Sequence, residues 1–354
     1  MADSSPLTTE ILDAILERIP NLKIGIVGDL FLDRYLDLDA SLTEPSLETG
    51  LDAYQVVGVR SSPGAAGTVL NNLDALGVGR VYPIAVLGDD GEGHELRQAL
   101  GRLHGVATLG LMYTQDRRTP TYVKPLLHEK GRPLRELNRL DIKNRQLMPE
   151  WLDAQISSKL VDIWPRIDAL VVVDQVSEAD CGIITTRTRD TLALMAARGP
   201  DKFVLADSRE RIGLFRGVCL KPNRQETLRA AGIVAEDGSD ALERAAVQLA
   251  RRAGRWVFCT DGARGILLAS PQDDERTVRP RIPAYPVAGP IDIVGAGDST
   301  SAAIVCAMAS GAGVEAAAAF GNLVASITIQ QLGTTGAATP EQVRQRWRCV
   351  TNGG

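Results

Sequence analysis

Short apolar runs, each closed by aspartate or glycine and each followed by helical periodicity, constrain this chain more than any other feature. Residues 23–27 end in Gly28-Asp29, 80–87 in Gly88-Asp89-Asp90-Gly91, 170–173 in Asp174, 203–206 in Asp207 and 256–259 in Thr260-Asp261-Gly262. Apolar residues recur at helical spacing over 67–76, 92–103, 185–198 and 241–253. A strand that lacks polar alternation is buried on both faces, and the helices between such strands supply the two covering layers. The expected fold is an α/β three-layer α/β/α sandwich with a mostly parallel central sheet. In open sheets of this kind ligands bind beyond the strands' carboxyl ends, where these aspartates and glycines collect.

Two stretches, 38–61 and 109–136, break the rhythm. The second carries strand formers, among them Thr119, Thr121, Tyr122 and Val123. Unstructured loops of that length are uncommon in a compact domain. Both are read as strands of a small β-sheet lid, leaving 1–37, 62–108 and 137–354 for the large α/β domain.

Composition removes several function classes. The net charge of −5 gives no basic field for nucleic acid or an anionic membrane. Five scattered cysteines, Cys181, Cys219, Cys259, Cys306 and Cys349, have no CxxC spacing and read as reduced thiols. Three histidines, His94, His104 and His128, form no metal-binding pair and no hydrolase triad. The segment 1–20 is not a signal peptide, and no apolar run is long enough to span a bilayer, so the cytoplasm is the expected location.

The most informative chemistry lies at 292–300, Asp-Ile-Val-Gly-Ala-Gly-Asp-Ser-Thr. Gly295-Ala296-Gly297 followed by Asp298 opens a long run of small helix formers. Such a turn aims backbone N–H groups and a helix's positive end into one space, with a carboxylate at its lip. Taken alone it admits two readings, a capped helix entry or an anion hole for a migrating phosphoryl group with a base for a hydroxyl proton.

Several further motifs stand in collinear order. They are 27–35 (Val-Gly-Asp-Leu-Phe-Leu-Asp-Arg-Tyr), 63–72 (Pro-Gly-Ala-Ala-Gly-Thr-Val-Leu-Asn-Asn), 119–124 (Thr-Pro-Thr-Tyr-Val-Lys) with Arg139-Leu140-Asp141, 221–226 (Lys-Pro-Asn-Arg-Gln-Glu), 260–265 (Thr-Asp-Gly-Ala-Arg-Gly) and 290–300. Over about 23–342 the chain resembles the ribokinase/PfkB carbohydrate kinase family, closest to the heptose-phosphate kinase branch, the kinase half of the bifunctional enzymes of ADP-heptose synthesis. The resemblance implies a ribokinase-like fold and phosphoryl transfer from ATP, with Mg²⁺, to a hydroxyl of a sugar or sugar phosphate. It implies Asp298 as general base and Gly295, Ala296 and Gly297 as the anion hole. Asp33, with Asp29 beside it, would meet sugar hydroxyls, as would the turn at Gly64 and Thr68. Lys124 or Arg139 would meet a phosphate already on the substrate. Asn223 and Glu226 would organise Mg²⁺, partly through water, and Thr260, Gly262 and Gly265 would border the ATP phosphates and ribose. Asn322 and residues 333–336 would border the adenine.

The chain departs from the family where a second glycine is Ala65, where the sugar-binding asparagine is Thr68, and where Ile293 and Val294 replace threonines. The acceptor therefore stays open among heptose phosphate, fructose-type sugar, ribose and nucleoside. An impaired kinase-like sugar or nucleotide sensor is the alternative. A dinucleotide dehydrogenase is disfavoured, because 25–29 supplies no G-x-G-x-x-G. The resemblance also implies a homodimer through the lid, and a kinase standing without the nucleotidyltransferase half.

Overall fold

Period-two burial shows how the apolar runs are used. In the computed structural model, which describes residues 6–233, 240–274, 280–333 and 335–352, Ile24 and Ile26 pack into one helical layer and Val27 into the other. Val171 and Val173 are set against Leu170 and Val172 in the same way. Both strand faces are core, which is why the runs carry no polar alternation.

In chain order, α1 (Thr9–Arg18) precedes β1 (Lys23–Gly28). A long hairpin, β2 (Leu30–Pro45) and β3 (Asp52–Ala65), leads into α2 (Ala66–Ala75), β4 (Arg80–Gly88), α3 (Gly91–Leu100) and β5 (Leu111–Thr114). Then come β6 (Thr121–His128), β7 (Arg135–Glu136), β8 (Leu140–Ile142), α4 (Glu150–Ile163), β9 (Ala169–Asp174), α5 (Thr186–Arg198), β10 (Phe203–Ser208) and β11 (Cys219–Leu220). The chain continues through α6 (Arg224–Ala231), α7 (Ala241–Ala253), β12 (Val257–Thr260), β13 (Ile266–Ala269), α8 (Ala296–Ala309), α9 (Val314–Thr328) and α10 (Pro340–Asn352).

The large sheet has the order β13-β12-β11-β10-β9-β1-β4-β5. Only its β12–β13 pair is antiparallel. Helices α1, α2, α3, α8, α9 and α10 cover one face, and α4, α5, α6 and α7 the other. Small side chains explain the close contact of α8 with α9. A Cβ at Gly321 would lie 3.0 Å from Ile304 and 3.2 Å from Thr300.

A second sheet runs β3-β2-β6-β7, with β8 also on β6. Its reach differs from the expected segments. The β2–β3 hairpin starts at Leu30 and runs to Ala65, and β8 adds Leu140–Ile142. Leu111–Thr114, expected in the lid, instead pairs with β4 in the large sheet, because Leu111 and Met112 are core residues. Arg34 of β2 ties the base of this sheet to α3 through Glu95 and, at 3.6 Å, Glu92.

Cys181, Cys219, Cys259 and Cys306 are buried free thiols, and Cys349 is exposed. Among the described residues no helix is long and apolar enough to cross a membrane.

Candidate active site

The parallel strands deliver their polar terminal residues to one edge: Asp29 after β1, Asp174 at the end of β9, Asp207 in β10 and Lys221 after β11. Asp174 serves the scaffold. It is buried and holds Arg211 at 2.7 Å and the Ser208 hydroxyl at 2.7 Å.

Helix α8 brings Asp298 to this edge. Gly295, the residue before the helix, has φ 80°, which glycine adopts without strain and a Cβ-bearing residue does not. Asp298 falls in the first turn, half-buried. Burial, reinforced by the Asp207 carboxylate, pushes its carboxyl up to about 7 against the opposing pull of Lys221, Arg209 and a Gln175 amide donating at 3.4 Å. The turn differs from expectation at one of its three residues. The Ala296 N–H donates to the Ile293 carbonyl at 3.1 Å. The N–H groups of Gly295, Gly297 and Asp298 have no protein acceptor among the described residues.

Lys221 packs beside this turn. Its Nζ is 2.9 Å from Asp207 Oδ2, which also accepts from the Ser301 hydroxyl of α8 at 3.0 Å. Burial alone would lower the Lys221 ammonium, but the carboxylates of Asp207, Glu226 and Asp298 outweigh it and hold it above its ordinary value. Sequence reasoning quoted Lys221 within its motif but gave it no role, and it passed over Asp207 as one strand end among several.

Asn223 and Glu226 form a capping box at the start of α6. The Glu226 N–H donates to Asn223 Oδ1 at 2.9 Å, and the Asn223 N–H donates to Glu226 Oε2 at 2.8 Å. Burial, helped by Asp207, raises the Glu226 carboxyl. Among the described residues no cluster of three His, Cys, Asp or Glu side chains is arranged to hold a metal. Mg²⁺ does not need one, since it keeps several waters and takes one or two carboxylates beside substrate phosphates. The Glu226 oxygen outside the cap, on a carboxyl that feels the Asp207 charge, is a donor of that kind, so the residues fit the ion.

On the β12–β13 side the expected nucleotide residues divide. Gly262, at φ 55°, turns the hairpin into open space. Thr260 pairs across to Asn223. Gly265 has a packing reason: a Cβ there would sit 2.0 Å from the Ile282 carbonyl oxygen. The Asn322 amide is spent on the carbonyls of Ile282 and Pro283, both at 3.0 Å, so it fixes that segment to α9 rather than offering its donors outward. Thr334, within the expected 333–336 segment, lies outside the described residues.

On the other side, a pocket with about 580 Å³ of empty space opens between the second sheet and the carboxyl edge. Phe31, Pro120 and Tyr122 line it from one side, Gln175 and Arg209 from the other, with Asp29 at its wall. Gln175 and Arg209 thus link the pocket to Asp298. Burial pushes Asp29 up to about 7 although it accepts the Ile183 N–H at 3.1 Å. Four cations line the pocket: Arg117, Arg139, Lys143 and Arg209. Arg139 stacks at 4.0 Å on the Tyr122 ring and forks onto Asp141 at 2.6 and 2.9 Å. Arg209 makes no ion pair among the described residues, and nothing in the sequence marked it or Arg117.

Asp33 and Lys124, expected at the substrate, meet each other at 3.3 Å. Lys124 also lies 3.2 Å from the Tyr35 hydroxyl. Gly64 leaves room for the Asp33 carboxyl, which a Cβ there would meet at 2.8 Å. Ala65 holds φ 54°, ψ −118°, a conformation suited to glycine. Thr68, in the first turn of α2, approaches the 295–298 turn, its methyl 3.5 Å from where a Cβ at Gly295 would be.

Residues 216–342 match the model of the pfkB family carbohydrate kinases. Curated relatives include the "Bifunctional protein HldE" of Desulfatibacillum aliphaticivorans, 29% identical over 88% of this chain and 60% of its own length. The protein of the same name in Pelobacter propionicus is 29% identical over 93% of this chain and 64% of its own. The chain thus spans about three fifths of the length of these relatives. Among solved structures it is similar to Arabidopsis thaliana ribokinase complexed with ribose and ATP, with TM-score 0.65 and 18% identity over 92% of this chain and 98% of that one. It is also similar to Escherichia coli phosphofructokinase-2 in complex with potassium, with TM-score 0.67 and 15% identity over 93% and 99%. The fold is ribokinase-like, and a pfkB-family domain is present.

Proposed function

From the premise that a pfkB-family carbohydrate kinase domain is present, we propose that this chain transfers the γ-phosphoryl group of ATP to a hydroxyl of a sugar phosphate. One observation carries the reading: Asp298, a half-buried carboxyl pushed to about 7, stands in the first turn of α8 beside unspent backbone N–H groups. A base of that acidity is matched to neutral pH.

The acceptor hydroxyl gives its proton to Asp298 as its oxygen bonds to phosphorus. The bond from that phosphorus to the β-phosphate oxygen breaks, and ADP leaves. The N–H groups of Gly297 and Asp298 face the charge on the transferring oxygens. Mg²⁺, held by Glu226 and Asn223 partly through water, would supply charge neutralisation on the nucleotide phosphates. The cationic wall of Arg117, Arg139, Lys143 and Arg209 favours an acceptor that already carries a phosphate. Asp29, on the pocket wall, and Asp33 would accept sugar hydroxyls. The edge strand β3 exposes Tyr54, Val56, Val57 and Val59, which supports a second copy of this chain pairing there.

An ATP-consumption screen over sugars and sugar phosphates tests the reading, with Asp298→Ala as control. Turnover is expected on a phosphorylated sugar, with a loss of ~10³-fold or more in the variant, the scale of a lost general base. Near-normal turnover by Asp298→Ala overturns the assignment of the base. Thermal shifts with nucleotide and sugar but no turnover favour the sensor reading.

A further inference from the structure

The first turn of α8 offers only neutral donors, the N–H groups of Gly295, Gly297 and Asp298, and a buried ammonium stands beside it. The Ala296 N–H is spent on Ile293. Lys221, only 3% exposed, places Nζ 3.5 Å from where a Cβ at Gly297 would be. Its partner is Asp207 at 2.9 Å, and Asp207 is held in turn by Ser301 on α8 at 3.0 Å. The end of β10, the residue after β11 and the catalytic helix are thus clamped together around one positive charge. Burying such a pair costs several kcal/mol per ion, and an apolar pair of similar volume often serves packing better. Its presence at this point calls for a use of the charge.

We propose that Lys221 is the fixed cation of the phosphoryl-transfer centre, completing the anion hole of the α8 turn, with Asp207 and Ser301 as its positioning residues. The proposal rests on the kinase reading above. In the transition state the charge lies on the three oxygens around phosphorus. Lys221 faces that charge as an ammonium throughout and transfers no proton, since the acceptor's proton goes to Asp298. A pre-set charge in a water-poor site needs no reorganisation as the reaction proceeds.

The test compares wild type, Lys221→Met, Lys221→Arg and the double variant Lys221→Met/Asp207→Asn. The double variant also removes the charge of the carboxylate 2.9 Å from Lys221 and guards against misfolding of the single one. Steady-state turnover is measured on the best acceptor, and thermal shifts are measured with ADP and with ADP plus aluminium fluoride. Loss of roughly 10²–10³-fold in kcat is expected for both Met variants, the scale of a lost oxyanion donor. Acceptor KM and the shift with ADP alone should hold, the added shift from fluoroaluminate should vanish, and Lys221→Arg should recover part of both. A merely structural lysine would move the ADP shift as well and spare the fluoroaluminate increment. A folded Met variant that keeps kcat within about threefold of wild type, or keeps the increment, overturns the proposal. A wild-type protein without turnover and without the increment overturns the kinase reading itself.

Discussion

Replacing Asp298 by asparagine should destroy turnover and stabilise the fold at the same time. The carboxyl titrates at about 7 in the folded chain, against an ordinary value of 3.8, chiefly through burial and next through Asp207. The folded state therefore binds the proton more tightly than the unfolded chain. Stability from this group is fully present below pH 3.8 and is lost as pH rises to about 7. At ~1.4 kcal/mol per pH unit this amounts to roughly 4 kcal/mol at pH 8, and water in the cleft screens part of it, leaving an expected ~2–4 kcal/mol. Asparagine has nearly the same shape and no charge to bury. Urea denaturation of both proteins across about pH 4 to 8 measures the difference. The variant should match wild type near pH 4 and gain progressively above it. A gain independent of pH, or none at pH 8, refutes the assignment of Asp298 as a carboxylate held ionised at a cost.

Three further outcomes are expected. Because the base must be ionised, kcat/KM should fall about tenfold per pH unit below about 7, and a flat profile down to pH 5.5 contradicts this. Ala65→Gly should stabilise the protein by ~1 kcal/mol, since it relieves ~1–3 kcal/mol of backbone strain at a cost of ~0.5–1 in unfolded-chain entropy. A loss of stability on denaturation would show that φ 54° carries no strain at Ala65. Gly64→Ala presses a methyl group against the Asp33 carboxyl, which a Cβ would meet at 2.8 Å. It should raise acceptor KM by roughly tenfold and leave ATP KM within about twofold, and the reverse pattern counts against Asp33 as a sugar ligand.

The layer order and the strand ends were legible because burial on both faces removes polar alternation, a local signal. The turn at 295–298 was legible because glycine at φ 80° leaves a mark in the sequence. Leu111–Thr114 was misplaced because strand propensity says nothing about which of two sheets receives a strand. Lys221, Asp207 and Arg209 went without roles because their meaning lies in pairing across 14 to 94 residues of chain, which no spacing rule encodes. Asn322 and Gly265, expected beside the nucleotide, also have packing roles that no local pattern announces: Asn322 binds the 282–283 carbonyls, and Gly265 lets the same segment approach closely.

The Asn223/Glu226 pair shows why one motif supports two readings, and how to separate them. As a capping box it needs only an acceptor at residue 226 for the Asn223 N–H, which it meets at 2.8 Å. As a holder of Mg²⁺ and its waters it needs the negative charge, with Oε1 left outside the cap. Glutamine keeps the acceptor and the length while removing the charge. Alanine removes both. If the cap is the whole role, Glu226→Gln behaves as wild type and Glu226→Ala loses ~1 kcal/mol of stability. If the charge serves the ion, Glu226→Gln keeps its stability within about 0.5 kcal/mol but needs several-fold more Mg²⁺ for half-maximal turnover. Unchanged Mg²⁺ dependence in a stable Glu226→Gln would reduce the pair to a helix cap. The two roles are compatible in one residue because the cap uses one carboxylate oxygen and leaves the other outside it, on a carboxyl that feels both Asp207 and Lys221. The helix start thereby fixes that oxygen's position before any ion arrives.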